Sequence, residues 1–64
     1  MRTDLKFVDD VQGGECIYAV EEVTSIPDKR EMVFIKEDRY QVVERSFEYI
    51  DRHNCIVYIM IRKL

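Results

Sequence analysis

The sequence predicts a mainly β domain, a small five-stranded antiparallel barrel or strongly twisted sheet. Three observations carry that prediction. Valine and isoleucine number 15 while alanine and leucine together number three, so β-branched residues far outweigh the best helix formers. Four tyrosines and three phenylalanines add strand preference. The segment Cys55–Arg62 alternates Cys55, Val57, Ile59 and Ile61 against Ile56, Tyr58 and Met60, the two-residue period of a strand.

Taken in order, Leu5–Val8 is the first expected strand, interrupted by Lys6. Asp9–Gly14 reads as a turn, because the adjacent Gly13 and Gly14 supply the positive φ of tight hairpins. Glu15–Val23 is the second strand. Thr24–Lys29 is a loop: Pro27 holds Ile26 extended, and Pro27-Asp28 suits a turn. Glu31–Lys36 resumes a strand, with Val33 and Ile35 on one side and Met32 and Phe34 on the other. Lys36-Glu37-Asp38-Arg39 is a charged break of hairpin length.

Arg39–Ile50 reads two ways. Tyr40, Val43, Phe47 and Ile50 share one face of an amphipathic helix, which would give an α+β domain with a helix at about residues 39–52. The segment lacks alanine and leucine, which favours a strand with Val43, Phe47 and Tyr49 on one face, Arg45 interrupting, and a bulge near Glu44–Ser46. Asp51–Asn54 is then a hairpin loop and Cys55–Arg62 the last strand.

Length and composition bound the function. Residues 1–64 make a single domain. Apolar residues form 47% of the chain, enough for a core and unlike a disordered segment. The longest apolar run, Cys55–Ile61, is far short of the roughly 20 residues of a spanning helix, so no membrane partner is expected. No secretory pattern opens the sequence, and a cytoplasmic location follows as the expectation. Residues 1–31 hold four basic and eight acidic side chains, residues 32–64 six and five. Neither half has the positive excess that drives phosphate binding, which disfavours nucleic acid.

Chemistry-bearing clusters are scarce. Cys16 and Cys55 are far apart, form no Cys-x-x-Cys, and read as small buried hydrophobes. Structural zinc sites announce themselves by close ligand pairs, and none is present, so no metal or cofactor is expected. The one histidine, His53, lies in the expected turn beside Asp51 and Asn54; a pairing with Cys55 is conceivable, but a solvated turn histidine is the plainer reading. Gly13-Gly14 lacks the flanks of a phosphate loop, and Asp9, Asp10 and Glu15 lack calcium-loop spacing. No catalytic residues are expected.

The order Ile26-Pro27, Glu31-Met32-Val33-Phe34-Ile35, Tyr40-Gln41-Val42-Val43, Phe47-Glu48-Tyr49 and Cys55–Ile61 with a basic end resembles small, mostly uncharacterised proteins of phages and prophages of low-GC Gram-positive bacteria. The resemblance covers about residues 15–63 and implies a compact antiparallel barrel of SH3-like type. It transfers no functional residues. This chain departs from the pattern in lacking glycines after Pro27 and at Lys36–Arg39.

The last strand carries the functional expectation. One of its faces fills the core, which leaves Ile56, Tyr58 and Met60 needing cover from a partner or from the chain's own helix. The expected function is a non-catalytic protein–protein interaction module, binding itself or another protein and forming a homo-oligomer, with Ile56, Tyr58 and Met60 at the contact and Tyr49 and Arg62 at its rim. A phage accessory or inhibitory role is what the resemblance implies. The alternative is a small barrel binding single-stranded nucleic acid, stacking bases on Tyr40, Phe47, Tyr49 and Tyr58 beside Arg39, Arg45, Arg52 and Arg62.

Overall fold

A computed structural model describes residues 1–10 and 14–64. Five strands form: β1 (Arg2–Asp9), β2 (Cys16–Val20), β3 (Met32–Ile35), β4 (Asp38–Tyr49) and β5 (Asn54–Lys63). No helix forms among the described residues, and Arg39–Tyr49 is strand. The strands make one sheet in the order β2-β1-β5-β4-β3, curled into a half-barrel.

The expected all-antiparallel pairing needs one correction. β1·β2, β3·β4 and β4·β5 are antiparallel, whereas β1 and β5 run parallel, with Leu5 opposite Val57 and Phe7 opposite Ile59. A parallel pair needs a long connection between its strands, and here β2, β3 and β4 supply it. β5 is thereby the central strand, which accounts for its nearly unbroken apolar run.

One face of the sheet holds the core. Val57, Ile59 and Ile61 are fully buried beside Cys55; Leu5 and Phe7 join from β1, Tyr40 and Val42 from β4, and Ile35 from β3. The sequence reading grouped Val43 with Phe47 and Tyr49 on one face. The extra residue of the β4 bulge falls between Val42 and Glu44, so strand parity switches there, and Val42 enters the core in place of Val43. Beyond the bulge Arg45, Phe47 and Tyr49 share the core face, opposite Ile59, Val57 and Cys55.

β2 and β3 are the two edges, so residues 21–31 must cross from one side of the sheet to the other. They cross over the core, where Val23 and Ile26 pack against it. The crossing is tied down at both ends. The Val23 N–H donates to Thr3 O at 2.8 Å, and the Arg30 N–H donates to Val42 O at 2.8 Å. In between, Arg45 Nη1 donates to Pro27 O (3.4 Å) and pairs with Asp28 (3.2 Å). The interrupting arginine of β4 thus anchors this strap.

The turns follow their residues less closely. Gly14 sits at φ 87°, where side chains are rarely accommodated; Gly13 lies outside the described residues. β3 and β4 join through Lys36-Glu37, a tighter turn than the expected four residues, since Ile35 already pairs with Asp38. Lys36 carries φ 58° there. A left-handed conformation costs a non-glycine residue roughly 1–2 kcal/mol, and glycine's entropy offsets roughly 0.5–1 of that. Lys36→Gly is therefore expected to stabilise the domain by about 1 kcal/mol, seen as a higher urea midpoint at unchanged slope. A lower midpoint would show that Lys36 makes a contact worth more than its strain.

Candidate functional site: the outer face of the central strand

The face of the sheet opposite the core has no second layer over it among the described residues. Along β5 it presents Ile56, Tyr58 and Met60, each half-buried. Val8 lies opposite Met60 and extends the apolar strip onto β1. Strand alternation alone puts these residues here, because their neighbours Cys55, Val57, Ile59 and Ile61 fill the core.

Tyr58 is the centre of the strip and is held from both sides. Lys6, its direct cross-strand partner on β1, places its ammonium 5.9 Å from the ring centroid. From β4, Glu48 accepts the phenol O–H at 2.8 Å. That hydrogen bond, helped by desolvation and by the nearby carboxylate charge, raises the Tyr58 pKa above its ordinary value. The phenol therefore remains a donor throughout the physiological range.

Beside the strip lies an open pocket of about 540 Å³, lined by Val8, Tyr58 and Met60 with Asp9, Asp10, Gly14 and Ser46. Arg62 pairs with one of the lining residues, its Nη2 2.8 Å from Asp10 Oδ2. It lies opposite Gln41 and shares the outer face.

Tyr49 does not. It lies opposite Cys55, on the core face, where it is 69% exposed at the open end of the half-barrel. Glu48, opposite Ile56, holds the rim position instead. The register between β4 and β5 decides this, and one residue of slip exchanges the faces.

Register also divides the aromatic and basic residues proposed as a stacking platform. Tyr40 is buried in the core. Phe47 and Tyr49 open on the core side, with Arg45 stacked 5.7 Å from the Phe47 centroid, while Tyr58 is on the outer face. No single surface gathers these rings.

His53 and Cys55 do not meet as a pair: His53 is exposed in the β4–β5 loop, and Cys55 is buried on the core face. Asp51 organises that loop, accepting the His53 N–H at 2.7 Å and the Asn54 amide at 3.0 Å. Cys16, expected to be buried, is an exposed free thiol on the edge strand β2, because the register shift opposite Phe7 and Val8 turns it outward beside Val8. Among the described residues, no group of three His, Cys, Asp or Glu side chains is placed to hold a metal ion, and no helix is long and apolar enough to cross a membrane.

Sequence reasoning passed over one surface. Met32 and Phe34 on β3 are 52% and 67% exposed, more than any residue of the β5 strip. Their place on the face opposite Val33 was legible; that β3 is an edge strand was not.

Comparison with known protein families, curated proteins and solved structures returns no match for this chain.

Proposed function

We propose that this protein is a non-catalytic protein–protein interaction module that acts in the cytoplasm and self-associates through the outer face of β5. The observation that carries the reading is the strip Val8, Ile56, Tyr58 and Met60 on a sheet face with no layer above it among the described residues. Sheets with one apolar face toward the core and a second apolar strip toward solvent find cover by packing on another sheet, at about 10 Å separation. A 64-residue chain also gains from such packing, since a core this small supplies only a modest margin of stability. Tyrosine and methionine are enriched at interface cores, and Tyr58 is already fixed in place by Lys6 and Glu48, which reduces the entropy lost on binding. The likeness of residues 15–63 to small phage and prophage proteins supports use as an accessory or inhibitory protein of such an element.

The test is absolute molar mass in solution for the wild type and Tyr58→Glu. The wild type is expected to exceed one chain. The substitution places a carboxylate beside Glu48 in the middle of the strip and should lower the mass, with the β circular dichroism spectrum retained. A mass unaffected by Tyr58→Glu would remove this face from self-association.

A further inference from the structure

β4 has 12 residues and β3 only four, so β3 covers β4 along Asp38–Gln41 and no further. Arg30 and Glu31 extend that pairing by one residue, bonding the C=O and N–H of Val42. Before them the chain runs over the core, where Arg45 holds Pro27 and Asp28. The second half of β4 is therefore paired on one side alone, with β5. Ser46, Phe47, Glu48, Tyr49 and Ile50 are all exposed in consequence.

The Ile50 N–H donates to Asn54 O, so these two residues form a hydrogen-bonded pair of the β4·β5 ladder. Alternation makes Glu48·Ile56 and Ser46·Tyr58 the next such pairs. The N–H and C=O of Phe47 and Tyr49 then point away from β5, and no described residue bonds them. Arg45 has the same parity, and Glu44 Oε1 accepts its N–H at 3.1 Å. An open ladder of this kind accepts a further strand.

The two faces of this stretch differ in chemistry. On the core side Phe47 and Tyr49 are the exposed aromatic rings. On the outer side stand Glu44, Ser46 and Glu48. Lys29 pairs with Glu44 at 3.4 Å. Glu48 holds the Tyr58 hydroxyl on Oε1, and no lysine or arginine pairs with it among the described residues. A strand laid along this edge turns alternate side chains to the two faces. Its residues opposite Phe47 and Tyr49 meet aromatic rings, and the residue between them meets a carboxylate with Oε2 open.

We infer that residues 46–50 are a strand-addition site for an extended segment of a partner protein, with the pattern apolar-basic-apolar. The segment continues the line of β3, antiparallel to β4. Its two apolar residues pair with Phe47 and Tyr49 through main-chain hydrogen bonds and cover their rings. Its lysine or arginine lies opposite Glu48. Charge also decides against a second copy of this chain: a two-fold axis at the middle of the open stretch sets Glu48 against Glu48, a like-charge pair that opposes the contact. The site lies in the plane of the sheet, apart from the outer strip of β5, and its test does not depend on self-association.

The probe is a capped peptide of about seven residues alternating valine with lysine, added to the full chain up to about 1 mM, where a millimolar Kd gives half occupancy. Amide resonances report the site. Saturable shifts centred on Phe47 and Tyr49 are expected, with slowed solvent exchange of those two amides. The same peptide with glutamate for lysine should bind weaker by about fivefold or more. Methylating the backbone nitrogens of the valines keeps the charge, removes the donors of the ladder and should abolish binding. Phe47→Pro removes an open N–H that the β5 ladder does not use and should do the same. If that variant fails to fold, the methylated peptide asks the same question of the unaltered protein. No shift at Phe47 and Tyr49, shifts confined to Val8, Tyr58 and Met60, or equal binding by the glutamate or methylated peptide overturns the site. Slowed exchange of the two amides with rising protein concentration and no peptide overturns it as well, by giving the edge to a second copy.

Discussion

Ile59→Ala is expected to destabilise the domain by about 2–5 kcal/mol, the range for deleting a buried aliphatic side chain and leaving a cavity. Ile59 has no exposed surface and lies midway along the central strand, with Phe7 opposite it on β1 and Arg45 on β4. Strands on both sides hold the surrounding backbone, so little collapse into the vacated space is available. A domain of this size has a margin of roughly 3–10 kcal/mol, at about 0.05–0.15 per residue. The substitution therefore removes a large share of it and should leave a measurable unfolded population without denaturant. Urea unfolding followed by circular dichroism reads the loss. Ile50→Ala is the reference, because Ile50 is 54% exposed beyond the end of β4 and its truncation should fall within about 0.5 kcal/mol of the wild type. Equal losses at the two positions would contradict the placement of the core on the Ile59 side of β5.

The contrast between these two isoleucines shows which parts of the fold were legible in the sequence. Alternation in Cys55–Ile61 separated the two faces of the strand, since period-two patterning is a local property of one strand. Strand in place of helix at Arg39–Ile50 followed from the absence of alanine and leucine, and the Asp51–Asn54 hairpin from its short polar run. Pairing was not legible. The sequence contains nothing that says the first strand lies parallel to the last, because that contact spans nearly the whole chain. The position of the β4 bulge, one residue earlier than expected, could not be read either, since Val42 and Val43 are chemically identical. That single residue determines whether Val42 or Val43 fills the core. The face assigned to Tyr49 depended in turn on register with β5. Met32 and Phe34 were visible as an apolar pair opposite Val33, but their exposure follows from β3 being an edge, which is a property of strand order.

Polar turn chemistry was the least legible part, and it leads to the second large expected effect, a loss of stability in acid. Asp4 accepts the Glu22 N–H at 3.0 Å and Arg2 Nε at 3.1 Å, and these bonds hold its pKa below the ordinary carboxylate value. Asp51 is lowered by the His53 N–H and then by the Asn54 amide, and Glu44 by the Arg45 N–H and then by Lys29. In each case the folded pKa lies below the unfolded one, so the unfolded chain binds more protons in the interval between them. The stabilisation is then fully present above the unfolded values, about 3.9 for Asp and 4.3 for Glu, and is lost as pH falls through the folded values. These three groups should contribute no slope to stability above about pH 5 and a falling limb below about pH 4. Asp4→Asn with Asp51→Asn should be less stable than the wild type at neutral pH, and its acid limb should be shallower, so that the two curves converge in acid. An acid limb of unchanged slope would mean that these carboxylates are not the groups that titrate. Asp4 has the further consequence for the fold. Its partner Glu22 sits at φ 53°, where the chain leaves β2 to cross the core, and Val23 beyond it bonds Thr3. Protonating Asp4 releases the hold on that strained residue, so amide protection factors at Glu22 and Val23 should fall in acid before those along β5 do. Simultaneous exposure of all three segments would instead mean that the strap and the sheet open as one cooperative unit.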